Sequence, residues 1–395
     1  MDPDQGYKEL ATLLLVDGAD INVRDKNGNT PLMLAVRNEN TEIATYLIEN
    51  KADISAKTDT GETILILAAQ KDNLEVARLL IENGADLEAK SKNGFTALLW
   101  AVKSDYRETA ILLIKNGADV NASDYEGSVA LMYALSNGNK DIARSLIENG
   151  ADVNAKTDSG ETLLMLTITK GDYVTSKFLI ENGADINSNN NAGDTALTSA
   201  AKMGYPEGTS LLIENGADLE AKSRNGFTAL IWAAANNRTE TATILIENGA
   251  NVNAKDLYGY TVMMYAYKGI VNLLLKHGAD INAKTDSGET VLMVVITTRE
   301  NYEISKFLIE NGADINEANN QGYTALRRAA QRGYSEVATI LLKNGADINE
   351  ADNQGFTALL WAAQSGYTEI VTLLLTNGAD INEALMATAE YGLKE

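Results

Sequence analysis

The chain has no cysteine and one histidine, His277. Without thiols there are no disulfides, no thiolate zinc sites and no cysteine nucleophile. The lone histidine falls in Leu275-Lys276-His277-Gly278, at the expected last turn of a helix, where a cation suits the helix dipole. A single histidine supports neither a serine triad nor a multi-histidine metal centre. Basic side chains are scarce too: 33 Lys and Arg stand against 55 Asp and Glu, a formal charge of −22. Phosphate backbones are held by clustered Lys and Arg. The balance therefore argues against nucleic acid and anionic membranes, and a partner bound electrostatically would be basic. No apolar run approaches the roughly 18–20 residues that span a bilayer. Met1 to Gln5 lack the basic and apolar segments of an export signal. A cytoplasmic location without membrane insertion is expected, although the lack of cysteine fits a cysteine-poor secretion route equally well.

Catalytic motifs are missing as well. No GxGxxG or GxxxxGK[ST] pattern offers a phosphate cradle. Asp25-Lys26-Asn27-Gly28-Asn29 has the flavour of a calcium loop, but its glycine comes two positions early and Val36 stands where a bidentate Glu is needed. Carboxylate pairs of the glycosidase kind arise by chance among so many acids. The expectation is no enzyme, no cofactor and no metal.

What the sequence does have is a period. Asp25-Lys26-Asn27-Gly28-Asn29-Thr30-Pro31-Leu32 opens a unit whose turn glycine returns at Gly61, Gly94, Gly127, Gly160, Gly193, Gly226, Gly259, Gly288, Gly322 and Gly355. Units of 33 residues are the rule; the one starting at Asp256 has 29 and the one at Thr285 has 34. Within a unit, turn residues such as Ser91-Lys92-Asn93-Gly94 lead into a short apolar helix expected over Thr96 to Val102. A second helix, Glu108 to Lys115, places Ala110, Ile111, Leu113 and Ile114 at helical spacing and closes at Asn116-Gly117. Neither helix is long enough to persist alone, so the pairs must stack.

The 33-residue unit, the GxTxL core and the closing NGADxN resemble the ankyrin repeat. The resemblance implies an all-α fold, a curved solenoid of helix pairs with β-turn projections, its concave face carrying the turns and first helices. The division expected is a half-repeat or cap over 1–24, eleven repeats over 25–384 with an irregular short one at 256–284, and a capping helix over 385–395. The resemblance also implies a non-catalytic scaffold that binds a protein partner on the concave surface, as a monomer. Two other roles stay open: the recognition or regulatory arm of a larger enzyme, channel or secreted effector, and a structural or self-associating protein. At the family's contact positions stand Phe95, Phe227, Tyr260, Tyr323 and Phe356 after the turn glycine, and Tyr125, Leu257 and Tyr258 at the turn tips. Exposed aromatics are frequent interface anchors, and Leu257, Tyr258 and Tyr260 cluster in the short unit.

Departures from the family pattern carry expectations of their own. Where the TPLH signature has histidine this chain has Met33, Ile66, Leu99, Met132, Met165, Thr198, Ile231, Met264, Met293, Arg327 and Leu360, so the threonine–histidine ladder cannot form. Lys51 replaces the closing glycine and is expected at a costly positive φ. The four residues missing after Tyr265, about one helical turn or roughly 6 Å, predict a truncated helix and a kink. A longer rhythm brings Trp100, Trp232 and Trp361 to one position, 132 and 129 residues apart, with Tyr133 and Tyr265 one unit later in the first two blocks. Block duplication without functional meaning and a ligand of matching periodicity both account for it.

Overall fold

The computed structural model describes residues 3–299, 302–382 and 385; of residues 3–7 and of Arg299 it describes the backbone alone. The chain divides into two compact units. One comprises residues up to Thr167 together with Asp172–Asp185, the other Ile168–Gly171 and the residues from Ile186 onward. Each is a stack of helix pairs, and among the described residues the only β pairing is isolated antiparallel bridges at turn bases, such as Lys57–Thr63, Ser123–Val129 and Lys255–Thr261.

The first helix of each pair is short and apolar. Ile64–Gln70 buries Ile64, Leu65, Ile66, Leu67, Ala68 and Ala69, leaving only its last residue for the surface. Each fully buried Leu or Ile contributes about 1.5–3 kcal/mol, whereas seven residues cannot hold a helix alone. The start is set by threonine: Thr96 Oγ1 accepts the Leu99 N–H at 3.3 Å, and Thr228 that of Ile231 at 3.4 Å. The helix therefore runs Ala97–Lys103, one residue later than the spacing predicts. Val129 starts its helix with no side-chain cap. Where histidine would return a bond to the threonine N–H, this chain improvises. Met33 Sδ accepts from Thr30 N at 3.4 Å, Met264 Sδ from Thr261 N at 3.4 Å, and Thr198 Oγ1 from Thr195 N at 2.7 Å.

The second helix is nine residues with one apolar face, as in Leu74–Glu82, capped by Asn73 Oδ1 on the Val76 N–H at 3.1 Å. It closes on an asparagine whose side chain reaches back four residues, as Asn116 Nδ2 does to Leu112 O at 2.8 Å, or on His277 in the short repeat, and a left-handed glycine generally follows. Lys51 adopts that left-handed conformation without being glycine, at φ 64°. Glu39, Asp72, Asp105 and Asn237 do the same between the helices, where other repeats have Gly138, Gly171, Gly204, Gly333 and Gly366.

Successive repeats are also tied outside the core. The asparagine of NGADxN accepts from the aspartate N–H one repeat on: Asn121 Oδ1 from Asp152 N and Asn316 Oδ1 from Asp347 N, both at 2.8 Å. The same side chains donate to Gly150 O and Gly345 O at 3.0 Å. Glu88 and Glu220 supply the acceptor alone, to Asp119 N and Asn251 N. Ser55 is too short to reach the next repeat and instead donates to Asp53 Oδ1 at 2.6 Å.

In the repeat with four residues missing, the first helix is cut to Val262–Tyr265 and the chain leaves it extended at Ala266, while the second helix, Lys268–Lys276, keeps its full length. The deletion thus falls on the end of the first helix and the connection. At the N-terminus a helix spans Pro3–Val16 with Leu10, Leu13 and Leu14 exposed. The expected capping helix over 385–395 lies outside the described residues apart from Leu385.

Candidate functional site

The turns project from the first helices and are fixed by their opening residue. Asp124 Oδ1 accepts the N–H groups of Glu126 and Ser128 at 2.9 and 3.0 Å; Asp256 Oδ1 accepts those of Tyr258 and Tyr260 at 2.8 and 2.9 Å. Neighbouring turns bond to each other, as Lys92 N does to Thr60 O at 3.0 Å and Arg224 N to Ala192 O at 2.8 Å. Glycine is required at the contact: a Cβ on Gly94 would lie 2.7 Å from Tyr125 N, and one on Gly226 2.7 Å from Leu257 N. The turn tips are therefore ordered before any ligand arrives.

The residues singled out by position separate into two groups. Tyr125, Leu257 and Tyr258 stand at turn tips, 69, 61 and 68% exposed. Phe227, Tyr260, Tyr323 and Phe356 are half-buried. The expectation of an exposed ring fails at Phe95, which is 6% exposed. Its ring packs on Trp100 at 4.9 Å between centroids and on Tyr133 of the next repeat at 5.8 Å. Phe227 repeats the arrangement with Trp232 and Tyr265, each at 4.9 Å, and Phe356 meets Trp361 at 5.7 Å. Large neighbours at the first-helix position thus draw the post-glycine ring inward.

Two features were not anticipated from the sequence. The turn aspartate bonds through its second oxygen to the aromatic nine residues on: Tyr133 Oη donates to Asp124 Oδ2 at 2.5 Å, Tyr265 Oη to Asp256 Oδ2 at 2.7 Å, and Trp361 Nε1 to Asp352 Oδ2 at 3.1 Å. Burial, then the aspartate hydrogen bond, pushes both phenols above the ordinary tyrosine range. Each tryptophan also lies near a cation. Lys103 Nζ sits 4.4 Å from the Phe95 centroid and 5.9 Å from that of Trp100, Lys202 Nζ 4.6 Å from Trp232, and Arg327 Cζ 4.3 Å from Trp361. The signal for the first feature was the nine-residue Asp–Tyr spacing, which recurs in two blocks.

A buried charge cluster surrounds Arg327, at the position where the family has histidine. Its Nε donates to Asp352 Oδ2 at 3.2 Å and its guanidinium covers the Tyr323 ring at 3.1 Å. Arg328 pairs with Glu289, which also accepts from Asn319 Nδ2 at 2.5 Å. Burial draws the Arg327 pKa below its ordinary value, opposed by Tyr323 and Asp352. Among the described residues no group of three or more His, Cys, Asp or Glu is arranged to hold a metal ion, and no helix is long and apolar enough to cross a membrane.

The family model described as ankyrin repeats (3 copies) matches residues 4–91, 86–157, 131–223, 211–285, 262–352 and 292–384. The chain belongs to the ankyrin repeat family. No curated protein matches it. Among solved structures, it is similar to the ankyrin repeat domain of Bcl-3, described as a unique member of the IkappaB protein family, at 29% identity and a TM-score of 0.49, over 53% of this chain and 93% of that one. Ankyrin repeats are in general non-catalytic protein–protein interaction modules. In this ankyrin array Tyr125, Leu257 and Tyr258 are large side chains at turn tips that neither the repeat core nor the aromatic boxes absorb.

Proposed function

We propose that the chain is a non-catalytic scaffold, monomeric and cytoplasmic, that binds a protein partner along its turn tips and first helices, the surface the ankyrin family presents as concave. In the first unit Tyr125 is the anchor and Phe95 belongs to the floor; in the second Leu257 and Tyr258 are the anchors, and Phe227, Tyr260, Tyr323 and Phe356 support them from below. The observation that carries the reading is the exposure of three large side chains on turns whose backbone is already held by aspartate and turn-to-turn hydrogen bonds. Ordered anchors bind without a large entropic cost. The net charge favours a basic partner. The test compares wild type with a Leu257→Ser/Tyr258→Ser variant that melts at the same temperature. A partner captured by the wild type should lose at least tenfold in affinity for the variant; equal affinity places the site elsewhere.

A further inference from the structure

Phe95, Trp100 and Tyr133 form three walls around the ammonium of Lys103, whose Nζ lies 4.4, 5.9 and 5.2 Å from their ring centroids. All three distances fall within the roughly 6 Å over which an aromatic face attracts a cation. The lysine is an exposed residue. The box opens on a cavity of about 360 Å³ that Phe95, Tyr133 and Lys103 line together with Lys92, Tyr125 and Glu126. That volume falls within the range of small-ligand pockets, about 300–1,000 Å³.

The other tryptophans show what the box selects. At Trp232 the cation is Lys202, from the preceding repeat, while the position of Lys103 is taken by Ala235. At Trp361 it is Arg327, also from the preceding repeat. A cation reaches each tryptophan from a different place in the sequence, so the aromatic wall, rather than a fixed partner, is the common element. Arg327 is 2% exposed and locked by Asp352. Lys103 has no such lock.

We infer that the Phe95–Trp100–Tyr133 box is an exchangeable ammonium site, held by Lys103 in the free protein and open to an alkylammonium head from outside the chain. The head is either a lysine side chain of a protein or a free quaternary amine. The inference does not rest on the scaffold reading, because a small amine fills the box as well.

The test uses the full chain with labelled lysine side chains. Ring currents set the Lys103 ε-methylene resonance apart, and its loss in Lys103→Ala assigns it. Tetramethylammonium chloride should move that signal to the position of a free lysine, saturably, where equal sodium chloride does not. Lys103→Ala should bind tetramethylammonium about tenfold tighter than wild type, and Tyr133→Leu in the same background should weaken binding again. A lysine peptide acting at lower concentration than tetramethylammonium assigns the site to a protein lysine, and the reverse order to a small amine. The inference is overturned if sodium chloride moves the signal equally. It is also overturned if Lys103→Ala lowers the melting temperature while binding tetramethylammonium no better than wild type; Lys103 is then a structural cation.

Discussion

Tyr133 donates its hydroxyl to Asp124 Oδ2 at 2.5 Å, and so ties the first helix of its repeat to the turn nine residues earlier. The aspartate's other oxygen holds the turn itself, so one buried carboxylate fixes both tip and helix. Tyr133→Phe leaves Asp124 Oδ2 without its donor and should destabilise the protein by about 1–3 kcal/mol. Denaturant unfolding checks this against Tyr46→Phe as a control for hydroxyl loss outside the box.

The same pairing can be transplanted. Trp100 and Trp232 have Ser91 and Ser223 at the turn position, and their indole Nε1 atoms are buried without a hydrogen-bond partner. Trp361 has Asp352, and the bond is made. Ser91→Asp should stabilise by about 0.5–1.5 kcal/mol, read as a rise in melting temperature, whereas Ser91→Asn, with a neutral side chain of the same shape, should give less.

Alkali should expose these phenols. Burial and the aspartate bond raise the Tyr133 and Tyr265 pKa values above the ordinary tyrosine value, so the folded state holds these protons more tightly than the unfolded chain does. Stability from this source is complete below pH about 10 and declines as pH rises beyond it. Unfolding free energy measured from pH 8 upward should fall above 10, and a Tyr133→Phe/Tyr265→Phe protein should fall less steeply.

Lys51 is one of the non-glycine residues held at positive φ, at 64°, and the rung missing at Ser55 lies close by. Lys51→Gly should gain about 1 kcal/mol, and Ser55→Asn should add a bond of the kind Asn121 makes to Asp152 N, worth about 0.5–1.5 kcal/mol. Thermal unfolding of the singles and the double checks both; an unchanged or lower melting temperature for Lys51→Gly contradicts the strain.

Arg327 and Asp352 are a buried pair with side chains 3 and 0% exposed. Arg327→Met strands the carboxylate and should cost about 3–5 kcal/mol, most of which an added Asp352→Asn should recover. A double-mutant cycle in urea measures the coupling; additive losses would show that the pair is not coupled.

The periodicity made the helix pairs legible because stacking imposes the same burial on every repeat: Leu65 and Leu98 occupy one position and are each 1% exposed. The cut first helix at Val262–Tyr265 was legible too, since a four-residue deletion must shorten something. The burial of Phe95 was not, because it depends on Tyr133 in the next repeat and on Lys103 eight residues on. The cations were hidden for a related reason: Lys202 lies thirty residues before Trp232, a distance that only stacking closes. Position in the repeat names the turn tips; which tips stay bare depends on their neighbours' side chains.

Placing a photo-crosslinking residue at Tyr258, and in a separate protein at Lys276 on the second helix of the same repeat, tests the central claim most directly. In cells of the source organism the account predicts a discrete protein adduct from position 258 and none from 276. An adduct from 276 with none from 258 would contradict it.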